Sequence, residues 1–251
     1  MVTPAWLLAD QYQFPMKNVL AITAVSALLL FGCAFWGNDI LRLLESSTPS
    51  TSIGPVNDGR LIHGKRLPSS GPNFQTYSRL GSTLGRTAVH SRVRDAMLAA
   101  YAELEQGTPG VQYVYGETGW PWGGRFRPHR THQNGLSVDF MVPVTHNGEP
   151  IALPTSPFNK FGYALQFDSN GRSGNLQVDF DSMAAHLDVM DRVAREHGLR
   201  IDLVVFAPDL QERLFESDPG STLQSRLRFN VNPSWVRHDD HYHVDFAMVD
   251  D

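Results

Sequence analysis

Five of the ten histidines fall in two short stretches, Pro-His-Arg-Thr-His-Gln-Asn-Gly-Leu-Ser-Val-Asp at residues 128–139 and His-Asp-Asp-His-Tyr-His at residues 238–243. Imidazole and carboxylate are the usual nitrogen and oxygen donors to zinc, so this concentration is what a mononuclear metal site requires. The chain has one cysteine, Cys33, which rules out intrachain disulfides and cysteine-based zinc knuckles. Any metal must be held by His, Asp or Glu. His132 on a loop and Asp139 on the strand that follows can converge on one ion if the turn between them is tight, which Gly135 permits. His241 and His243, two apart on a strand, point to the same face, so one can bind metal while the other stands beside it. The remaining histidines, His63, His90, His146, His186 and His197, read as ordinary surface or hydrogen-bonded core residues.

The two stretches are remote in sequence, so the fold must bring them together. Leu136–Val142 and His241–Val249 alternate as strands, with Asp139 on the face away from the main apolar set and His241, His243 and Asp245 sharing one face. Helices are expected at 91–106, ending at Gly107, and from Asp181 as N-cap to His197. Val111–Tyr115 reads as a strand, His146-Asn147-Gly148 as a hairpin turn and Phe161–Phe167 as a further strand. Ile201–Phe206 has the continuous apolar character of a central strand, and short helical pieces follow at 210–215 and 223–227. Residues 57–86 read as irregular. Helices mixed with hairpin-linked strands argue an α+β fold: a mainly antiparallel central sheet flanked by helices and long loops.

The composition is globular, with a net charge of -5 and no basic stripe, so nucleic acid is not an expected partner. Residues 1–36 contain an uncharged apolar run from Val19 to Trp36, behind Lys17. Three readings stay open. The segment is a lipoprotein signal starting at Met16 that ends in a lipidated Cys33, an uncleaved anchor or ordinary export signal, or a buried core helix. The first two place the rest of the chain outside the cytoplasm, in the periplasm or cell envelope, with membrane attachment through the N-terminus or through Cys33 as on an outer-membrane lipoprotein. Residues 37–56, rich in Ser, Thr and Pro, read as a linker into a domain at 57–251. Arg125 and Arg127 precede the first histidine cluster and could hold a substrate carboxylate through paired hydrogen bonds or be plain surface residues. Trp120 and Trp122 fit hairpin support better than a groove wall.

Gly-Gly-Arg-Phe (123–126), His-x-x-His-Gln-x-Gly-Leu-x-Val-Asp (129–139) and His-x-x-His-x-His (238–243) resemble the penicillin-insensitive murein endopeptidases. That family belongs to a metallopeptidase superfamily with lysostaphin-type enzymes, D-Ala-D-Ala peptidases and hedgehog domains. The resemblance covers about residues 52–249. It implies a hedgehog or D-Ala-D-Ala peptidase-like fold and one Zn2+ held by His132, Asp139 and His243, with an open fourth position. His241 is implied as general base or transition-state stabiliser. His238 is implied as a second catalytic group, with His129 lining the site. Asp240 stands as the alternative base, one methylene shorter than the glutamate of related D,D-peptidases. The implied activity is hydrolysis of D-alanyl to meso-diaminopimelyl cross-links in peptidoglycan. The alternatives are a D,D-carboxypeptidase or dipeptidase on the same site, or a non-catalytic peptidoglycan-binding envelope protein. Protein partners are not indicated.

Overall fold

The two histidine motifs end on neighbouring strands of one sheet. A computed structural model of the chain describes residues 16–249. A long helix, α1 (Met16–Leu43), is followed by β1 (Thr51–Ile53), β2 (Arg60–Ile62), β3 (Lys65–Arg66), β4 (Phe74–Thr76), α2 (Arg79–Thr83) and β5 (Ala88–Val89). Next come α3 (Ser91–Gly107), β6 (Tyr113–Tyr115), β7 (Ser137–Met141), β8 (Val144–His146) and β9 (Glu149–Ile151). After a 3₁₀ segment at Pro157–Gly162 the chain forms β10 (Arg172–Ser173), β11 (Leu176–Val178) and α4 (Phe180–Glu196). It closes with β12 (Leu199–Val205), α5 (Pro208–Glu216), α6 (Gly220–Arg226) and β13 (His241–Met248).

The main sheet has the order β12-β13-β7-β6-β4. All its pairings are antiparallel except that of β4 with β6. The fold is α+β, as the pattern of elements predicts. In the β13–β7 register His243 lies opposite Asp139, His241 opposite Met141 and Asp245 opposite Ser137. Strand alternation sends these to one face, while Phe140, Tyr242, Val138 and Val244 go to the other. That second face joins the core with α3 and α4, through Met97, Tyr101 and Leu104 of α3 and Met183, Leu187 and Met190 of α4. Both helices start on side-chain caps. His90 accepts from the amide of Arg92, and Asp179 accepts from that of Ser182.

Several expectations need correction. The N-cap of α4 is Asp179 rather than Asp181, and α3 runs through Gly107 to a cap at Thr108. Phe161–Phe167 is not a strand: Lys160 and Phe161 lie in the left-handed region (φ 51° and 58°), which no strand accommodates. β12 is an edge strand rather than a central one. Its apolar run is explained by cover from α4 and by backbone bonds between Val204 and residues 228–230, which close the open edge. The 57–86 stretch holds three strands and α2. Within 37–56, α1 continues to Leu43, β1 pairs with β2, and the Ser50 side chain is bonded to the His63 carbonyl. The Asn147-Gly148 turn does join a hairpin, β8–β9, with both residues at positive φ as a two-residue turn demands. Asn18–Leu43 is long and apolar enough to cross a bilayer, and its most apolar window is not buried, so it is no core helix.

Candidate metal centre

The site is built where β7 and β13 pass each other beneath the loops at 116–135 and 234–240. Asp139, fully buried, is its centre. Its Oδ1 lies 3.2 Å from His132 Nε2 and 2.9 Å from His243 Nδ1. Its Oδ2 accepts from the Tyr163 hydroxyl at 2.9 Å and lies 3.6 Å from His129 Nδ1 and 3.9 Å from His241 Nε2. The loop that brings His132 here is held by Gly135 at φ 79°. A Cβ on Gly135 would stand 2.7 Å from the His90 backbone nitrogen, so only glycine lets the turn pack. His132 itself sits at φ 66° and His238 at φ 55°. Such left-handed non-glycine residues cost roughly 1–3 kcal/mol each and cluster at working sites.

Three of the five histidines have one ring nitrogen engaged by a carboxylate of their own. His243 Nε2 meets Asp245 at 2.8 Å, His129 Nε2 meets Glu117 at 2.6 Å, and His241 Nδ1 is bonded to Asp240. These carboxylates are anchored in turn. Ser137 donates to Asp245, and Arg86 and Tyr77 donate to Glu117. Such outer partners fix which nitrogen carries the proton and which presents its lone pair. His132 has no such partner. Both of its ring nitrogens are buried without a hydrogen bond, because the 3.2 Å contact to Asp139 lacks hydrogen-bond geometry. A buried orphan of this kind is costly unless a further group completes it.

The electrostatics point the same way. Burial alone would raise the Asp139 carboxyl, but the His132, His241 and His129 imidazoles outweigh it and hold it well below the usual carboxylate range. Burial would lower His243, yet Asp245 and Asp139 push it up to about 10. His241 is raised against its burial by Asp139 and Asp240, while His132 and His238 are lowered mainly by burial, His238 to about 4. Burial opposes ionisation of Glu117 as well, but His129 and Arg86 bring it down to about 2. A cluster of ionised carboxylates around imidazoles calls for positive charge at its centre, from protons or from a cation.

The donor set fits a metal ion. In a tetrahedral zinc site with bonds near 2.0 Å the donor atoms stand about 3.3 Å apart, close to the spacing of Asp139 Oδ1 from His132 and His243. Donors of His129, His132 and Asp139 also lie within 4.8 Å of one another, so His129 and His243 are rival third members of a set that shares His132 and Asp139.

A cavity of about 1020 Å³ opens over the site and is lined by His129, His238, His241, His243, Tyr163 and Glu117, among others. His238 stands beside His241, with ring centroids 4.6 Å apart. Asp240 lines the cleft and orients His241. Arg125 does not line this cleft. It borders an adjoining recess of about 570 Å³ with Arg127 and Arg130, the two spaces meeting at Pro128–Arg130. Trp120 and Trp122 stack on each other outside both. Glu117, Tyr163 and Arg86 were not foreseen. Glu117 and Arg86 are isolated charged residues with no pattern, and Tyr163 lies in the stretch read as a strand. Asp245, two residues past His243 on the same strand face, carried a usable signal.

A histidine–carboxylate centre that opens onto a large cleft of an α+β sheet defines a site with the donors to hold a metal ion. The model of the penicillin-insensitive murein endopeptidase family matches residues 52–251, and the chain belongs to that family, peptidases acting on the bacterial cell wall. No curated protein matches the chain.

Proposed function

We propose that the chain is a zinc-dependent endopeptidase of the cell envelope that hydrolyses D-alanyl to meso-diaminopimelyl cross-links in peptidoglycan. The observation that carries the metal reading is His132, whose two buried ring nitrogens lack partners beside an ionised Asp139. His132 Nε2, Asp139 Oδ1 and His243 Nδ1 are the ligands. His243 is preferred over His129 because its Nδ1 faces Asp139 Oδ1, the oxygen that His132 Nε2 also faces, whereas His129 Nδ1 faces Oδ2. When bound there, zinc polarises the scissile carbonyl and acidifies a water molecule. His241 takes the proton of the attacking water at Nε2 and passes it to the leaving amine. Asp240, on Nδ1, holds the ring in the tautomer that leaves Nε2 free and stabilises the cation that forms. Asp240 thus acts through His241 rather than as a separate base. His238 and His129 line the cleft beside the scissile bond as further hydrogen-bonding groups.

The cross-link reading draws support from charge. In this linkage the amide nitrogen belongs to a carbon that also carries a free carboxylate. Arg125, Arg127 and Arg130 form no ion pair with any described residue and stand next to His129. They supply the cations that such a substrate needs. Digestion of purified sacculi followed by muropeptide chromatography tests this. The expected result is conversion of cross-linked dimers to monomers, with KM raised several-fold in Arg125→Ala. Release of terminal D-alanine with dimers left intact overturns the endopeptidase reading.

A further inference from the structure

The apolar helix does not end where the folded domain begins. Val19–Trp36 at 1.5 Å per residue spans about 27 Å, close to the hydrocarbon thickness of a bilayer. The same helix then runs straight into the domain and packs along α2. A Cβ on Gly37 would stand 2.7 Å from Thr83 Cγ2, so helix and α2 meet at near backbone distance. Asn38 is fully buried and donates to the Leu67 carbonyl at 2.8 Å and to Ser69 Oγ at 3.1 Å. The Ser69 amide donates to Asp39, and the Arg66 amide to Glu45. One turn earlier the Arg79 guanidinium lies 4.0 Å over the Phe35 ring and bonds the Phe35 carbonyl. Buried polar groups satisfied only by this docking make separation costly.

The element gripped in this way is a wall of the catalytic cleft. Ser78, Leu80, Gly81 and Leu84, in and around α2, line the same cavity as His241 and His243. Leu80 and Leu84 are nevertheless 51% and 61% exposed, on and just after the short helix whose Arg79 covers the Phe35 ring, and Phe35 and Trp36 are themselves exposed at the end of the apolar run. An aromatic belt at that point of a spanning helix sits at head-group level.

We propose that the catalytic domain is fixed directly against a lipid bilayer, with α1 as its embedded post and the Leu80–Leu84 rim of the cleft in the interfacial layer. The enzyme then serves peptidoglycan strands lying next to that membrane. This rests on the envelope reading above and on membrane attachment through the N-terminus, but on no particular cross-link.

The test is depth-dependent fluorescence quenching of the full chain in phosphatidylglycerol-containing vesicles. With Cys33, the sole cysteine, changed to Ser, one fluorophore is placed through Leu84→Cys or Leu28→Cys. The Leu28 label is expected to be quenched best by lipids spin-labelled deep in the acyl chain, and the Leu84 label best by lipids spin-labelled at the head group. Gly37→Leu, or a flexible Gly-Ser insert between Trp36 and Gly37, past the end of the apolar run, lowers quenching at Leu84 and leaves that at Leu28 intact. Quenching at Leu28 with none at Leu84 overturns the apposition and leaves a tethered domain. No quenching at either position overturns the membrane attachment itself. Cleavage of sacculi by the unlabelled Cys33→Ser chain, measured in parallel, reports separately on the proposed activity.

Discussion

The two faces of β7 and β13 each bury histidine against the same pair of strands, with opposite results. On the core face His186 of α4 is fully buried among Phe140, Tyr242 and Tyr113, and only the Tyr242 hydroxyl meets its Nδ1. Burial drives it down to about 3, so it stays neutral. On the other face His243, nearly as buried, lies between Asp139 and Asp245 and is pushed up to about 10. Burial therefore does not decide what a buried histidine does; the carboxylates within hydrogen-bond reach decide it. The core face turns a histidine into a packed aromatic, and the site face turns one into a group that holds positive charge between two carboxylates.

This contrast can be broken in several places, with effects of graded size. Removing the shared centre is the most severe: Asp139→Ala or His132→Ala is expected to lose bound metal and cross-link cleavage together, as read by metal analysis and sacculus digestion. Asp245→Asn, which keeps the shape but removes the charge behind His243, should weaken metal binding about 10–100-fold in a chelator competition. An unchanged affinity would mean that His243 is not a ligand, and Glu117→Gln would then be the variant to shift it, through His129. On the core face, Tyr242→Phe leaves His186 Nδ1 unpartnered and should lower unfolding free energy by about 1–3 kcal/mol in denaturant titration, with metal affinity unmoved.

The last effect is a slope, small at any one pH near neutrality. His186 binds its proton in the unfolded chain near pH 6.5 and in the folded chain only near 3. As pH falls below 6.5 the unfolded state gains a proton that the folded state refuses, so stability drops by up to about 1.4 kcal/mol per pH unit through that window. His186→Phe should flatten this part of the stability–pH curve, and an identical slope would place the proton uptake elsewhere.

Much of this was legible in the sequence, for reasons that differ by residue. Strand parity alone gave the shared face of His241 and His243. A turn glycine at 135 gave the loop, and the three-and-four spacing gave α3 and α4. Glu117 and Tyr163 were hidden because they reach Asp139 and His129 through tertiary packing of irregular segments, where no period exists to read. The run at 201–206 misled because cover by α4 and by residues 228–230 makes an edge strand as apolar as a central one. The docking of Gly37 and Asn38 was equally invisible, since a small residue and an amide just past an apolar run look like the start of a linker until their partners at Thr83, Leu67 and Ser69 are in place.

The central claim is one metal held by His132, Asp139 and His243 in a working endopeptidase site. The most direct test measures zinc content and dimer-to-monomer conversion of sacculi on the same preparation, as purified, after chelation and after zinc is restored. The expected result is one zinc per chain, with activity lost on its removal and recovered at one equivalent. Full cleavage by the metal-free chain, or zinc still bound stoichiometrically by His132→Ala, would contradict it.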